Sequence, residues 1–420
     1  MGKLNVLHLH RMGDPQYRRE SVRTLEYMIK EVATDINCLV HDTDLPFPEY
    51  LKEIDYHLIV LGPTFLCNRY YPTKLKKTLS KYRFIASSNA CKIALPQDDY
   101  DCSSILDQWM VDWNIDLVYS VCPNNWDVLY PNYSQKGQIK LGYTGYISES
   151  WIRSWAKPKP RDDRRIDVSY RASNLPANFG SVGQLKGDIA RRFTSSLPSN
   201  DLYLDISVDP QDMIPGNRWH NFLEDSKFCL VTPSGSSLLD PKGEFRKRVN
   251  NFCKKFPNAT FEDIASECFP GEDKRFLFTA ISPRNIEAAL SETVQIATPG
   301  TYSGLMQPIE HFIPLEESCS NISSVLTMMR DKFLIRKISR DCKDAILAEP
   351  RLQTKNIVYE ILSFAENTST TRNIQETPQK QIEQLFERYY THLEVLADSF
   401  WFKRRLIRTF LIKIKTSMNL

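Results

Sequence analysis

The stretch IDVSYRASNLPANFGSVGQLKGDIARRF, residues 166–193, decides the fold. It opens on an alternating, β-prone run from Ile166 to Tyr170, the pattern of a strand whose side chains fall on opposite faces. A loop carrying Asn174, Pro176, Asn178, Gly180 and Gly183 follows, and Gln184 to Phe193 then sets Leu185, Ile189 and Phe193 on one helical face. Strand, glycine-bearing loop and helix in succession are how an α/β domain presents backbone N–H groups to a phosphate. Arg171 ends the strand and Lys186 opens the helix, so two cations are expected to flank the anion. The alternative is an ordinary strand–loop–helix with solvated charges, because one such loop is a weak signal.

The same alternation extends upstream. Asn5–His10, Ile36–Val40, His57–Leu61, Arg83–Ala86, Lys92–Leu95 and Ile115–Ser120 read as strands, with helical patterns at Arg19–Thr34, Tyr71–Lys81 and Ser103–Asp112. Strands and helices in turn predict an α/β fold with a parallel sheet wrapped by helices, its ligands beyond the carboxyl ends of the strands. Two strand ends there carry chemistry. Gln97-Asp98-Asp99-Tyr100 follows an apolar strand, so Asp98 or Asp99 is placed to take a proton from an acceptor hydroxyl; the alternative is a helix cap. His10, followed by Arg11, ends the first strand and is the third catalytic candidate, against a plain surface turn.

Downstream, Asp201–Ser207, Lys227–Thr232, Phe276–Ala280 and Thr293–Thr298 read as strands, and Trp219–Ser226, Glu244–Lys255 and Pro283–Leu290 as helices. Ser236 and Ser237 beside Gly235, and Tyr302, Ser303 and Gly304 after the last of these strands, extend the ligand edge; a plain turn is the alternative for the serines. The proline-bearing and basic segment Trp151–Asp163 reads as a linker. The expected domains are therefore 1–155, 156–345 and a helical segment 346–420.

Composition narrows the class. With 420 residues, 42% hydrophobic and 25% charged, the chain suits a globular protein of two or three domains. A net charge of +3 provides no field for nucleic acid, which is not expected as a partner. The opening MGKLNVLHLHRMGD reads as a first strand, not a signal peptide, and no apolar run reaches the roughly 18 residues of a membrane span. Ten cysteines without CxxC or zinc spacing fit reduced thiols and a cytoplasmic location. The basic, apolar end, residues 400–415, predicts either contact with the inner face of a membrane or a helix packed back on the first domain.

Three segments, SYRASNLPANFGSVGQLKG, FCLVTPSGSSLLD and ISPRNIEAALSETVQIATPGTYSGLMQPIEHFIPL, resemble bacterial glycosyltransferases of the two-Rossmann-domain (GT-B) type, in particular enzymes of surface polysaccharide and O-antigen clusters. The resemblance spans residues 160–330 and extends more loosely to the first half. It implies a GT-B fold, a nucleotide-sugar donor in the second domain and a saccharide or lipid-linked acceptor in the first. It implies a diphosphate clamp at Arg171 and Lys186, a ribose contact at Glu287 before Ala288, and an extra cation at Arg284. Many retaining members carry a second glutamate eight positions earlier, where this chain has Thr279, so no stereochemistry follows. His311 is a further cleft candidate, against core or surface packing. Such enzymes usually need no metal, and the triplets Asp42-Thr43-Asp44 and Asp99-Tyr100-Asp101 lie away from the expected donor site, so no metal or other cofactor is expected. The competing reading is a two-domain protein that closes on a phosphorylated ligand without chemistry. A nicotinamide-dependent oxidoreductase is weaker, since no GxGxxG follows either first strand.

Overall fold

The structure, a computed structural model, describes residues 3–14, 19–199, 201–214, 216–372, 374 and 377–417. Its first sheet contains β1 (Asn5–His10), β2 (Asn37–Asp42), β3 (Leu58–Leu61), β4 (Cys91–Ala94), β5 (Leu117–Ser120) and β6 (Gln138–Leu141), in the order β2-β1-β3-β4-β5-β6. Every pairing is parallel. All six residues of β1 are buried, as expected of a strand covered on both faces by crossover helices. Its histidines do not contradict that burial: His8 Nε2 lies 2.7 Å from Glu26 Oε2 on helix α1 (Glu20–Val32).

The second sheet repeats the plan. It is built from β7 (Ile166–Arg171), β8 (Leu204–Ser207), β9 (Ser226–Val231), β12 (Val294–Ala297) and β13 (Ile313–Pro314), in the parallel order β13-β12-β9-β7-β8. Helices α2 (Gly180–Ser196), α3 (Asn217–Glu224) and α4 (Pro283–Leu290) connect its strands. Two Rossmann-like domains of this kind make the GT-B arrangement, so the expected fold class is present. The domains touch directly. Cys102 N–H donates to Asp240 O (2.7 Å), Asp240 N–H to Tyr100 O (2.9 Å) and Ser104 N–H to Pro241 O (3.0 Å), and Arg246 pairs with Asp101.

Two expected strands differ. Arg83 caps and residues 84–86 belong to a short helix, Phe84–Ser87, where the buried Lys92 ammonium donates to the carbonyls of Ile85 and Ala86 at 3.3 Å each and so completes a helix end. The Phe276–Ala280 run contributes only β11 (Phe278–Ala280), which leaves the main sheet to pair antiparallel with β10 (Ser234–Ser236). Gly235 permits that ribbon: at φ +139 its Cα faces Phe278, and an added Cβ would lie 1.8 Å from the Phe278 carbonyl.

After α5 (Lys332–Ala348) and α6 (Thr354–Arg372), one long helix, α7 (Gln379–Ser417), closes the chain. It returns to the first domain along β2, where Tyr389 OH lies 2.7 Å from His41 Nδ1 and Tyr390 OH donates to Cys38 O at 3.0 Å. Residues 418–420 and the side chains from Arg408 onward lie outside the described residues. Among the described residues no helix is long and apolar enough to cross a membrane.

Candidate functional site

At the carboxyl ends of the second sheet, Tyr170, Thr232, Ser234, Ser282, Lys186 and Arg284 line one small pocket over Leu230 and Val231. Strand ends supply the polar floor, α2 supplies the ammonium and α4 the guanidinium. Tyr170 OH donates to Lys186 O (2.9 Å) and ties α2 against β7; Lys186 lies six residues past Gly180, where the helix begins, and does not open it as expected. Lys186 Nζ donates only to Ser234 Oγ, at 3.4 Å, and Arg284 Nη1 donates to Arg171 O at 2.5 Å. Among the described residues neither cation has a carboxylate partner at ion-pair distance. Desolvation first, then the charge of Arg284, lowers the Lys186 ammonium to about 8. Arg19, exposed just before α1 in the first domain, adds a third positive charge felt by Lys186.

Two carboxyl groups complete the site. Glu287, one turn into α4, is 7% exposed and accepts from Trp219 Nε1 of α3 at 2.8 Å. Burial raises it to about 7, against the opposing pull of the indole hydrogen bond, Arg284 and Arg19. Asp98 reaches across from the first domain: it is exposed, sits at φ +54, and its charge acts on Lys186. Its left-handed backbone is held by Arg69, whose Nη2 donates to Gln97 O (2.6 Å) and Asp98 O (2.9 Å), while Tyr100 OH donates to Asp98 Oδ1 at 2.6 Å.

Several expected site residues have other work. Arg171 is turned away from the pocket: it pairs with Asp205 at 2.6 Å, donates to the carbonyls of Tyr170, Asp205 and Asp212, and lies over the Phe222 ring. Arg284, held by Arg171's own carbonyl, stands beside Lys186 in its place. Asp99 is wholly buried, takes hydrogen bonds from Ser120 Oγ (2.6 Å) and Tyr130 OH (2.7 Å), and is raised by desolvation to about 6. Of the two neighbouring aspartates only Asp98 is exposed. His10 is buried as well, its ring 5.7 Å from Tyr27 and its Nδ1 accepting from Met12 N–H.

The expected amide cradle is also corrected. Ser181 N–H donates to Asp273 Oδ1 (3.1 Å) and Val182 N–H to Ser237 Oγ (3.2 Å), so the opening of α2 is capped by protein groups. Ser237 therefore caps a helix, and Ser236 ties its own turn by donating to Phe179 O and Leu238 O. Tyr302 is buried and donates to Thr298 O at 2.6 Å; Ser303 Oγ accepts from Ile281 N–H at 3.1 Å; Tyr302, Ser303 and Gly304 all have positive φ. These three shape a strained loop beside the start of α4. His311 closes a turn, Nδ1 accepting from Gln307 N–H at 2.9 Å. Arg19, Trp219 and Asp273 were not foreseen: no local pattern marks them, because they reach the site from elements distant in sequence.

No protein-family model matches the chain, and no curated protein sequence matches it. Solved structures do. The T4 phage β-glucosyltransferase aligns at 12% identity over 86% of this chain and 99% of its own, with a TM-score of 0.44. Anabaena Alr3699/HepE in complex with UDP-glucose aligns at 12% identity over 87% and 100%, with a TM-score of 0.44. An α-glucosyltransferase in complex with UDP and a 13-mer DNA aligns at 10% identity over 87% and 100%, with a TM-score of 0.49. These values describe a likeness of outline and assign no chemistry. One of them corrects the expectation of a metal-free fold: the T4 phage enzyme also occurs in complex with UDP and Mn2+, so this architecture does not entail metal independence. Among the described residues no three His, Cys, Asp or Glu side chains converge on a common point.

Proposed function

We propose that this protein is a glycosyltransferase that moves a sugar from a nucleotide-activated donor to a saccharide or lipid-linked acceptor, in the assembly of a bacterial surface polysaccharide. The observation that carries the reading is the pair Lys186 and Arg284, two cations sharing one pocket with no carboxylate partner among the described residues. Holding them together is unfavourable unless an anion enters. A donor diphosphate supplies that charge, and Glu287, fixed by Trp219, is set to accept from a ribose hydroxyl.

In the reaction the acceptor oxygen bonds to the anomeric carbon and the bond from that carbon to the diphosphate oxygen breaks. The electron pair leaves with the diphosphate, where Lys186 and Arg284 meet the growing charge. The acceptor proton passes to Asp98, the exposed carboxylate on the opposite domain. The exposed Phe402, Leu406 and Ile407 on the basic end of α7 fit an acceptor held at a membrane surface.

A thermal-shift panel of UDP, GDP, ADP, dTDP and CDP, followed by assay of nucleoside diphosphate release from the matching nucleotide sugar, tests the reading. One nucleotide should raise the melting temperature and be released in the presence of acceptor. Tight nucleotide binding without release from any nucleotide sugar would favour the binding-protein alternative; no binding of any nucleotide would remove the glycosyltransferase reading.

A further inference from the structure

A second cavity stands apart from the pocket of Lys186 and Arg284. A cleft of about 590 Å3 opens at the other end of the second sheet, where β7 and β9 begin rather than where they end. The two sites are thus about a strand length apart, roughly 17 Å. The volume falls in the usual range for small-molecule sites, about 300–1,000 Å3.

The lining divides into an apolar trough and a basic rim. Leu197, Leu202, Phe228, Leu326, Met329 and Ile335 form the trough. Five cations, Arg161, Lys227, Arg330, Lys332 and Arg336, face three carboxylates, Asp162, Asp167 and Asp201. Among the described residues only Lys227 has a carboxylate partner, Asp167 at 2.8 Å; Asp201 accepts from Ser199. Among the described residues the other four cations make no ion pair. Arg161 is the most telling. It lies over the Phe228 ring at 4.0 Å and donates to Lys227 O at 2.7 Å, and desolvation, with the nearby Arg164 charge, lowers it to about 10. Asp162 and Asp167 act on this guanidinium without forming an ion pair with it, and a partly desolvated cation left so is a costly arrangement that an incoming anion relieves. Arg330, Lys332 and Arg336 stand where the helix Ile322–Arg330 turns into α5, exposed to water at the mouth of the same trough.

We propose that this cleft is a second binding site, for a single-chain anionic amphiphile: an alkyl or isoprenoid chain in the trough, and its phosphate or carboxylate on Arg161, Arg330, Lys332 and Arg336. Neither a bare inorganic anion nor an uncharged chain satisfies both halves of the lining. The site is independent of the donor pocket, so it stands whether or not the glycosyltransferase reading does.

Isothermal titration of the full chain with decyl phosphate below its micellar concentration tests it, with decanol and inorganic phosphate as paired probes. Decyl phosphate should bind, and each paired probe should bind at least tenfold more weakly. The triple variant Arg330→Ala/Lys332→Ala/Arg336→Ala should lose at least tenfold in affinity, and Met329→Trp, which fills the trough, should lose as much. The far-ultraviolet circular dichroism spectrum should be the same in all of them. The single variant Arg336→Glu, a change at an exposed position, keeps the test decisive if the triple variant is unstable. No heat with decyl phosphate, equal affinity for decanol, or unchanged affinity in the charge variants would overturn the proposal.

Discussion

Lys186 and Arg284 define what single residues contribute here. A lysine lowered to about 8 from its ordinary 10.5 is charged below pH 8, and a bound diphosphate would push it back up. Nucleotide binding should therefore take up a proton above pH 8, and affinity should fall by up to roughly tenfold per pH unit there; calorimetry in buffers of different ionisation enthalpy measures both. Lys186→Met should flatten that profile. Lys186→Met or Arg284→Met should each lower turnover about 100- to 1,000-fold. Arg171→Met should leave nucleotide affinity within about threefold and instead lower stability by roughly 1–3 kcal/mol, since Arg171 serves Asp205 and three carbonyls. Glu287 works in the opposite sense. Its carboxyl is raised from 4.5 to about 7, so the stability tied to its proton is whole below pH 4.5 and is lost as pH rises through 7. Glu287→Gln should therefore raise the melting temperature at pH 8 much more than at pH 5, by an amount worth at most roughly 3 kcal/mol, while weakening nucleoside binding.

At the scale of elements, the opening of α2 shows how far a motif can be read. The strand, the glycine-bearing loop and the helix were all legible in residues 166–193, because period-2 and period-3.6 patterns are local. The partner of the helix N-terminus was not: Asp273 and Ser237 arrive from the β10–β11 region and occupy the first amides. Gly180 marks the contact. It sits at φ +65, and an added Cβ would lie 2.2 Å from Ser237 Oγ and 2.5 Å from Asp273 Oδ1. Gly180→Ala should lower stability by roughly 2–4 kcal/mol in urea unfolding, combining a left-handed backbone with a displaced cap. The Asp98 loop makes the same point from the other domain. Arg69, wholly buried, holds its carbonyls, and nothing in the run Gln97–Tyr100 distinguishes the exposed aspartate from the buried one.

For the whole molecule, the return of α7 to β2 couples the end of the chain to the first domain. Ile382, Phe386, Tyr389 and Leu393 are buried there, between 0% and 7% exposed. At about 1.5–3 kcal/mol for each buried side chain, removing residues 377–420 should cost as much as the entire margin of a typical domain, and the truncated chain should fail to show a cooperative unfolding transition. The outer end of the same helix carries the proposed membrane contact. Phe402→Ser/Leu406→Ser/Ile407→Ser should preserve the melting temperature and abolish flotation with phosphatidylglycerol vesicles; retained flotation would remove the membrane contact from the proposed function.

The sequence by itself determined two parallel α/β halves, the strand ends at which chemistry could be placed, and the small set of cations and carboxylates available there, because burial patterns and turn residues are written over neighbouring positions. Only the tertiary structure decided which of those groups meet. It turned Arg171 to Asp205 and put Arg284 beside Lys186, buried Asp99 and exposed Asp98, and brought Trp219 to Glu287. The physical reason is that a charge is assigned its partner by packing between elements far apart in the chain, and the cost of leaving it unpaired, on which the reading of both clefts depends, exists only after that packing is complete.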